Sequence, residues 1–187
     1  MIKTGRIILI TLIVFVSLGR SENLLLKEKS LKFIYRLYED NKYDMTLQQI
    51  KEFYQTYLNS PEIENLRYIE VESYFMNGDY ESSLESSQKY QALSGKNTYL
   101  SQYIYREGLS FFYLGNYERA LSTLKELSQM EEGGELKNEA VYWIAIVYYQ
   151  LNNTNETFSY LNKYKDFKTG NYQDYCLYTL AKIYQNS

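Results

Sequence analysis

The segment Phe111-Phe-Tyr-Leu-Gly-Asn-Tyr117 has three relatives in the chain, and the four segments begin at intervals of 37 residues. The other three are Leu37-Tyr-Glu-Asp-Asn-Lys-Tyr43, Tyr74-Phe-Met-Asn-Gly-Asp-Tyr80 and Tyr148-Tyr-Gln-Leu-Asn-Asn-Thr154. The fifth position of every segment is glycine or asparagine, the residue types that best tolerate the left-handed backbone conformation that ends many helices. These positions are Asn41, Gly78, Gly115 and Asn152. The spacing therefore predicts four repeats, each with a helix, a tight turn and a second helix.

Apolar residues on both sides of each turn follow helical spacing. After Gly115, an i, i+3, i+4, i+7 stripe consists of Tyr117, Ala120, Leu121, Leu124 and Leu127. We therefore predict an all-α fold in which residues 22–187 form one solenoid domain. The predicted repeats cover approximately residues 28–60, 61–96, 98–133 and 135–169, and a capping helix covers 172–186.

The third repeat resembles the tetratricopeptide repeat (TPR) in the placement of its small and aromatic residues. These residues are Gly108, Phe111, Gly115, Tyr117 and Ala120. The resemblance extends over residues 28–187 and implies a right-handed α–α superhelical solenoid of about four helix pairs plus a C-terminal capping helix. The period of 37 residues and the segment 139–149 resemble the bacterial envelope branch of TPR proteins, which includes the Tol–Pal periplasmic coordinator and repeat proteins of outer-membrane assembly. Membership in this family implies protein binding.

Residues 1–21 differ in character from the rest of the chain. Lys3 and Arg6 precede an apolar run from Ile7 to Val16, and the segment 17–19 is Ser-Leu-Gly. A basic start, a short apolar run and small residues at the cleavage positions are typical of a secretory signal peptide. We expect an exported, periplasmic protein; retention of residues 1–21 as an inner-membrane anchor is the alternative.

The charge and composition of the chain disfavour nucleic-acid binding. The net charge is −3, and loss of residues 1–21 leaves 17 basic and 23 acidic residues, a net charge of −6. An acidic domain is a poor ligand for nucleic acid, because phosphate binding depends on Lys and Arg. The chain has no histidine, and its single cysteine, Cys176, stands in an apolar stretch where burial is the expected role.

No arrangement of residues predicts catalysis. Histidine is the usual general base and the most common metal ligand, and it is absent. Glu70 and Glu107 are 37 residues apart and therefore stack on adjacent repeats, but we interpret them as a partly exposed pair at a repeat junction. We expect no enzymatic activity, no cofactor, no metal and no small-molecule substrate.

Two columns of mostly aromatic residues recur on the first helices of the repeats. One column contains Leu31, Tyr68, Tyr105 and Tyr142, and continues at Tyr178; the other contains Tyr38, Phe75, Phe112 and Tyr149. Within each helix the columns are seven residues apart, so they share one face. We predict that a groove for a partner is lined by Tyr38, Tyr68, Phe75, Tyr105, Phe112, Tyr142 and Tyr149.

Packing in the core is the competing interpretation of these rings, and for Phe75 and Phe112 the sequence favours neither. The tyrosines are the better groove candidates because a tyrosine in a groove keeps its hydroxyl in water. We therefore expect that alanine at both Tyr105 and Tyr142 abolishes partner capture and leaves the melting temperature unchanged. The predicted function is an adaptor that binds a protein or peptide; a structural spacer or oligomerisation module on a membrane anchor is the alternative.

Overall fold

A computed structural model describes residues 23–93, 98–131, 133–167 and 171–185. The predicted signal peptide, residues 1–21, lies outside this range. Nine helices and no strand occur among these described residues. They are α1 (23–39), α2 (Tyr43–Thr56), α3 (Ile63–Met76), α4 (Tyr80–Gln91), α5 (Leu100–Tyr113), α6 (Tyr117–Gln129), α7 (Leu136–Gln150), α8 (Thr154–Lys165) and α9 (Gln173–Gln185).

The predicted turn positions all adopt the left-handed conformation. The φ angles of Asn41, Gly78, Gly115 and Asn152 are 57°, 80°, 75° and 56°. At each turn the next residue donates its backbone N–H to a carbonyl five residues earlier, as from Asn116 to Phe111 at 2.8 Å. These bonds satisfy carbonyls at the helix end. The prediction of a helix, a tight turn and a second helix at each 37-residue step is confirmed.

The described residues form two compact units, with the boundary between Ile63 and Glu64. In the first unit, α1 and α2 bury one stripe each. The buried apolar residues are Leu31, Ile34, Leu37, Ile50 and Phe53. Lys27 on α1 pairs with Glu62 at 3.1 Å.

The second unit contains α4 to α9 and nearly all of α3, and its core lies between successive helices. Residues of α5, α6 and α7 form one cluster around Leu109, Leu124 and Ile144. A second cluster joins α7, α8 and α9. Its buried members are Val141, Tyr142, Ala145, Leu161, Tyr164, Cys176, Leu180 and Ile183. Helix α9 thus packs against the preceding repeat, in the position predicted for the capping helix.

Cys176 is buried, as the sequence predicted. Its thiol donates to the carbonyl oxygen of Leu161 at 3.3 Å, and burial raises the pKa of the thiol. Both effects favour the unreactive protonated form.

Gly108 illustrates why the repeat needs a small residue on its first helix. A Cβ atom at this position would lie 2.9 Å from both Cγ and Cδ2 of Leu124 on α6. Glycine therefore permits the close approach of the two helices of the third repeat.

No helix among the described residues has the length and apolar character required to cross a bilayer.

Candidate protein-binding surface

Side chains on the first helices α3, α5 and α7 contact one another across repeat junctions in the second unit. Arg106 on α5 contacts Glu72 on α3, and Tyr105 on α5 contacts Glu139 on α7. We refer to the surface that α3, α5 and α7 share as the first-helix face. It contains six of the seven predicted groove residues; the seventh, Tyr38, belongs to the first unit.

Tyr105 is enclosed in a polar network. It is 5% exposed, and its hydroxyl donates to Glu139 at 2.9 Å and lies 3.3 Å from the hydroxyl of Tyr172. Burial, followed by the nearby Tyr172 and Glu139, raises the pKa of Tyr105 far above its usual value. Asn171 also donates to Glu139. The expectation that Tyr105 keeps its hydroxyl in water is therefore wrong.

Tyr142 is also buried. Its ring stacks on that of Tyr172, with centroids 4.6 Å apart and planes 2° from parallel. Tyr172 immediately precedes α9, so the following helical unit covers both Tyr105 and Tyr142. Alanine at these two positions is now expected to lower the melting temperature, contrary to the sequence-based expectation, because large cavities in a packed interior are destabilising.

The same stacking occurs two repeats earlier. Tyr68 on α3 stacks on Tyr99, with centroids 4.7 Å apart and an interplanar angle of 3°. Burial raises the pKa of Tyr68 to about 12, as it does that of Tyr142. Tyr68 remains half-buried and borders a cleft of about 470 Å³, whose lining includes Gln102 and Glu139. In the first column, packing between repeats therefore covers at least part of the rings of Tyr68, Tyr105 and Tyr142, whereas the last ring, Tyr178, is 68% exposed.

The second column is more accessible. Phe75 and Phe112 are half-buried, and both pack against the core of the second unit. One side of each ring therefore packs against the core, and part of each ring remains accessible to solvent. Tyr149 is exposed at the end of α7. In the first unit, Tyr38 is half-buried and makes an edge contact with Tyr43, at 6.1 Å between centroids.

An aromatic patch surrounds Phe75 and Phe112. Tyr80 and Tyr113 stack with centroids 4.6 Å apart, and Phe75 makes edge contacts with both rings. Trp143 lies 5.3 Å from Phe112 and 6.1 Å from Tyr113. We define the aromatic patch as Phe75, Tyr80, Phe112, Tyr113 and Trp143. Tyr113 is 46% exposed and is the most accessible ring of the patch.

Three patch residues, Tyr80, Tyr113 and Trp143, were not among the predicted groove residues. Tyr80 lies on α4, a second helix, whereas the predicted columns lie on first helices. The 37-residue equivalents of Tyr113 are Glu39, Met76 and Gln150, so this position forms no aromatic column. A search for columns therefore misses it. Two features of the sequence could have indicated these residues: Tyr113 directly follows Phe112, and Trp143 is the single tryptophan of the chain.

The ion pair between Arg106 and Glu72 contacts the aromatic patch at Phe75. The Arg106 guanidinium contacts the Glu72 carboxylate through two bonds, Nε to Oε1 at 2.5 Å and Nη2 to Oε2 at 2.6 Å. The guanidinium also lies over the Phe75 ring, 4.4 Å from its centroid. Burial opposes the charge on Arg106, but the hydrogen bond and the charge of Glu72 outweigh it, and the pKa of Arg106 is raised. The pair therefore fixes the positions of α3, α5 and one edge of the patch.

The carboxylates Glu70 and Glu107 are both half-buried, as expected. Each is held by side chains of α4: the Tyr90 hydroxyl donates to Glu70 at 2.7 Å, and Gln91 donates to Glu107 at 2.6 Å. Because these hydrogen bonds tie each carboxylate to α4, they favour a structural role for both. Within the described part of the chain, no group of three or more aspartate, glutamate or cysteine side chains is placed to hold a metal ion.

Solved structures of TPR-like repeats share this fold. The chain is similar to the crystal structure of nearly identical TPR-like repeats described for a kinesin light chain of Podosopora anserina, with 11% identity and a TM-score of 0.59. That match covers 84% of this chain and 85% of the other. A single-residue variant of those repeats matches with 11% identity and a TM-score of 0.60 over 84% of each chain. No protein-family model matches the chain, and no curated protein matches it in sequence. The chain therefore has the fold of a TPR-like α-solenoid.

Proposed function

We propose that this protein is a non-catalytic adaptor that binds a protein or peptide segment on the first-helix face. The observation that carries the proposal is the aromatic patch. Its rings are held at fixed positions by one another and by Arg106, and Tyr113 is open to solvent. Rigid aromatic side chains contribute much of the binding energy at protein interfaces, because they bury a large area at a small cost in conformational entropy.

The proposed contact surface consists of the aromatic patch, the half-buried Tyr68 and the exposed Tyr149. An extended or helical segment lying along α3, α5 and α7 would reach all of them. We assign the buried Tyr105 and Tyr142 a supporting role, in which they hold neighbouring repeats in register. Because the mature chain would be acidic, we propose no nucleic-acid partner.

We further propose that the adaptor acts in the bacterial cell envelope and is exported by residues 1–21. The support is the three-part pattern of the sequence and the 37-residue TPR-like period. N-terminal sequencing of the protein recovered from cells tests the point. A mature chain beginning near residue 20 agrees with a periplasmic protein. Retention of residues 1–21 would favour the anchored spacer or oligomerisation module instead.

A matched pair of variants tests partner binding. Tyr113→Ala removes the most accessible ring of the patch, whereas Phe33→Ala removes a ring of equal exposure, 46%, on α1. We expect Tyr113→Ala to weaken capture of the partner at least about tenfold, since central aromatic anchors commonly contribute ~2 kcal/mol or more. Phe33→Ala should leave capture unchanged. Both variants should retain the helical circular-dichroism spectrum. Equal capture by the two variants would contradict the proposed surface.

A further inference from the structure

Helix α9 has an exposed face that carries two tyrosines and a leucine. Tyr175 and Tyr178 are 64% and 68% exposed, and Leu177 is also exposed. The opposite side of the helix is buried against α7 and α8 through Cys176, Leu180 and Ile183. The side of α9 that faces away from α7 and α8 is therefore exposed in the described structure.

Two residues of this face match residues that are buried on the preceding first helix. With a step of 36 residues, Tyr178 corresponds to Tyr142 and Ala181 corresponds to Ala145. On α7 these two positions are buried in the cluster that joins α7, α8 and α9. Helix α9 thus presents residues of the kind that this fold elsewhere covers with another helix, which favours a helical occupant.

The exposed residues form one straight stripe centred on Tyr178. Positions 174, 178, 181 and 185 follow i, i+4, i+7, i+11 spacing, and Tyr175 and Lys182 flank them. Asp174 stands four residues before Tyr178, and Lys182 stands four residues after it. All of these side chains are exposed.

This stripe is complementary to itself when reversed. If two copies of α9 pack antiparallel about a two-fold axis at Tyr178, Asp174 lies level with the second copy's Lys182, and the reciprocal pair forms at the other end. The large Tyr175 then lies level with the small Ala181 of the second copy. A two-fold interface requires this reciprocity. Every contact between one residue of the first copy and another residue of the second copy occurs again with the two copies exchanged. A parallel arrangement would place aspartate beside aspartate and lysine beside lysine, which is repulsive.

We propose that α9 is a homodimerisation helix, and that two copies of this chain associate through an antiparallel, two-fold α9–α9 contact. This contact uses the side of α9 that faces away from α7 and α8. It is independent of partner binding at the aromatic patch. The dimer would hold two first-helix faces in one assembly, which raises the effective concentration for a partner with two binding segments.

Sedimentation equilibrium of the full chain over a range of protein concentrations tests the proposal. We expect a monomer–dimer equilibrium, and Tyr178→Glu should weaken dimerisation at least about tenfold by placing two like charges on the axis. Leu58→Glu, which changes a side chain of similar exposure (70%) outside α9 and the proposed binding surface, is the matched control and should leave the dimer unchanged. Asp174→Lys should weaken dimerisation, because each end of the interface then carries two lysines. The exchange of both charges, D174K with K182D, should restore it.

A chain that stays monomeric at all concentrations would overturn the proposal. A dimer that Tyr178→Glu does not weaken would place self-association elsewhere. Failure of the double exchange to restore what Asp174→Lys loses would rule out the antiparallel register. Circular-dichroism melting of every variant distinguishes loss of the interface from loss of the fold, because Tyr178 is largely outside the core.

Discussion

The ion pair between Glu72 and Arg106 provides the sharpest test of how the repeats are held together. Only 6% of the Glu72 side chain and 19% of the Arg106 side chain are exposed, so neither charge is well solvated on its own. One 37-residue step later, Leu109 and Trp143 occupy the equivalent positions. The chain therefore contains an apolar version of the same junction.

Replacing Glu72 by leucine leaves Arg106 partly buried without its carboxylate. Breaking a buried pair in this way costs about 3–5 kcal/mol, and the residual exposure of Arg106 favours the lower end of that range. The double variant Glu72→Leu with Arg106→Trp copies the apolar junction. It should recover stability to within about 1–2 kcal/mol of the original chain, because apolar replacements of buried pairs are often nearly neutral. The cation–π contact of Arg106 with Phe75 at 4.4 Å is lost, but a tryptophan ring replaces it.

Urea denaturation followed by circular dichroism at 222 nm measures these differences. For a single cooperative unit of this size, ~3 kcal/mol corresponds to roughly 6–12 °C in melting temperature. The control is Lys27→Met, which breaks the Lys27–Glu62 pair in the first unit. Lys27 is as exposed as Arg106, but the Glu62 side chain is 31% exposed against 6% for Glu72, so this pair should contribute less than about 1 kcal/mol. A single Glu72→Leu variant as stable as the original chain would refute the reasoning. A double variant no more stable than that single variant would refute it as well.

Three further predictions concern the interior of the second unit. Gly108→Ala should destabilise it by about 1 kcal/mol in denaturant titrations, because the clash at 2.9 Å with the fully buried Leu124 exceeds the ~1 kcal/mol gain in helix propensity. Ser87→Ala should raise stability by up to about 1 kcal/mol in the same assay, because the buried Ser87 hydroxyl has no hydrogen-bond partner in the described structure. Tyr68 and Tyr142 have pKa values of about 12 in the folded protein, against ~10 in an unfolded chain. Their contribution to the free energy of unfolding should therefore be complete below pH 10 and be lost between pH 10 and 12. Urea midpoints measured across that range would show this loss.

The repeat geometry could be predicted from the sequence because its determinants are local. A glycine or asparagine at every fifth segment position fixes a left-handed turn, and four such turns were found where the 37-residue step placed them. The need for a small residue at Gly108 is likewise visible in a single repeat. These features depend on neighbouring residues within one helix pair.

The candidate site could be predicted only in part, because its geometry depends on contacts between repeats. Periodicity identified the side of the helix that carries Tyr105 and Tyr142, but not that Tyr172, 30 residues beyond Tyr142, would cover both. The Glu72–Arg106 pair spans 34 residues rather than 37 and joins adjacent first helices. A search confined to the repeat period compares equivalent positions, and these two residues are not equivalent.

Site-directed photo-crosslinking tests most directly whether the first-helix face binds a partner. A photoreactive benzoylphenylalanine is placed at position 113 in the aromatic patch or at position 33 on α1, two positions of equal exposure in the original chain. Adducts formed in cells are then identified by mass spectrometry. We predict one dominant protein adduct from position 113 that is absent from position 33. The same adducts from both positions, or adducts from position 33 alone, would contradict a partner-binding surface at the aromatic patch.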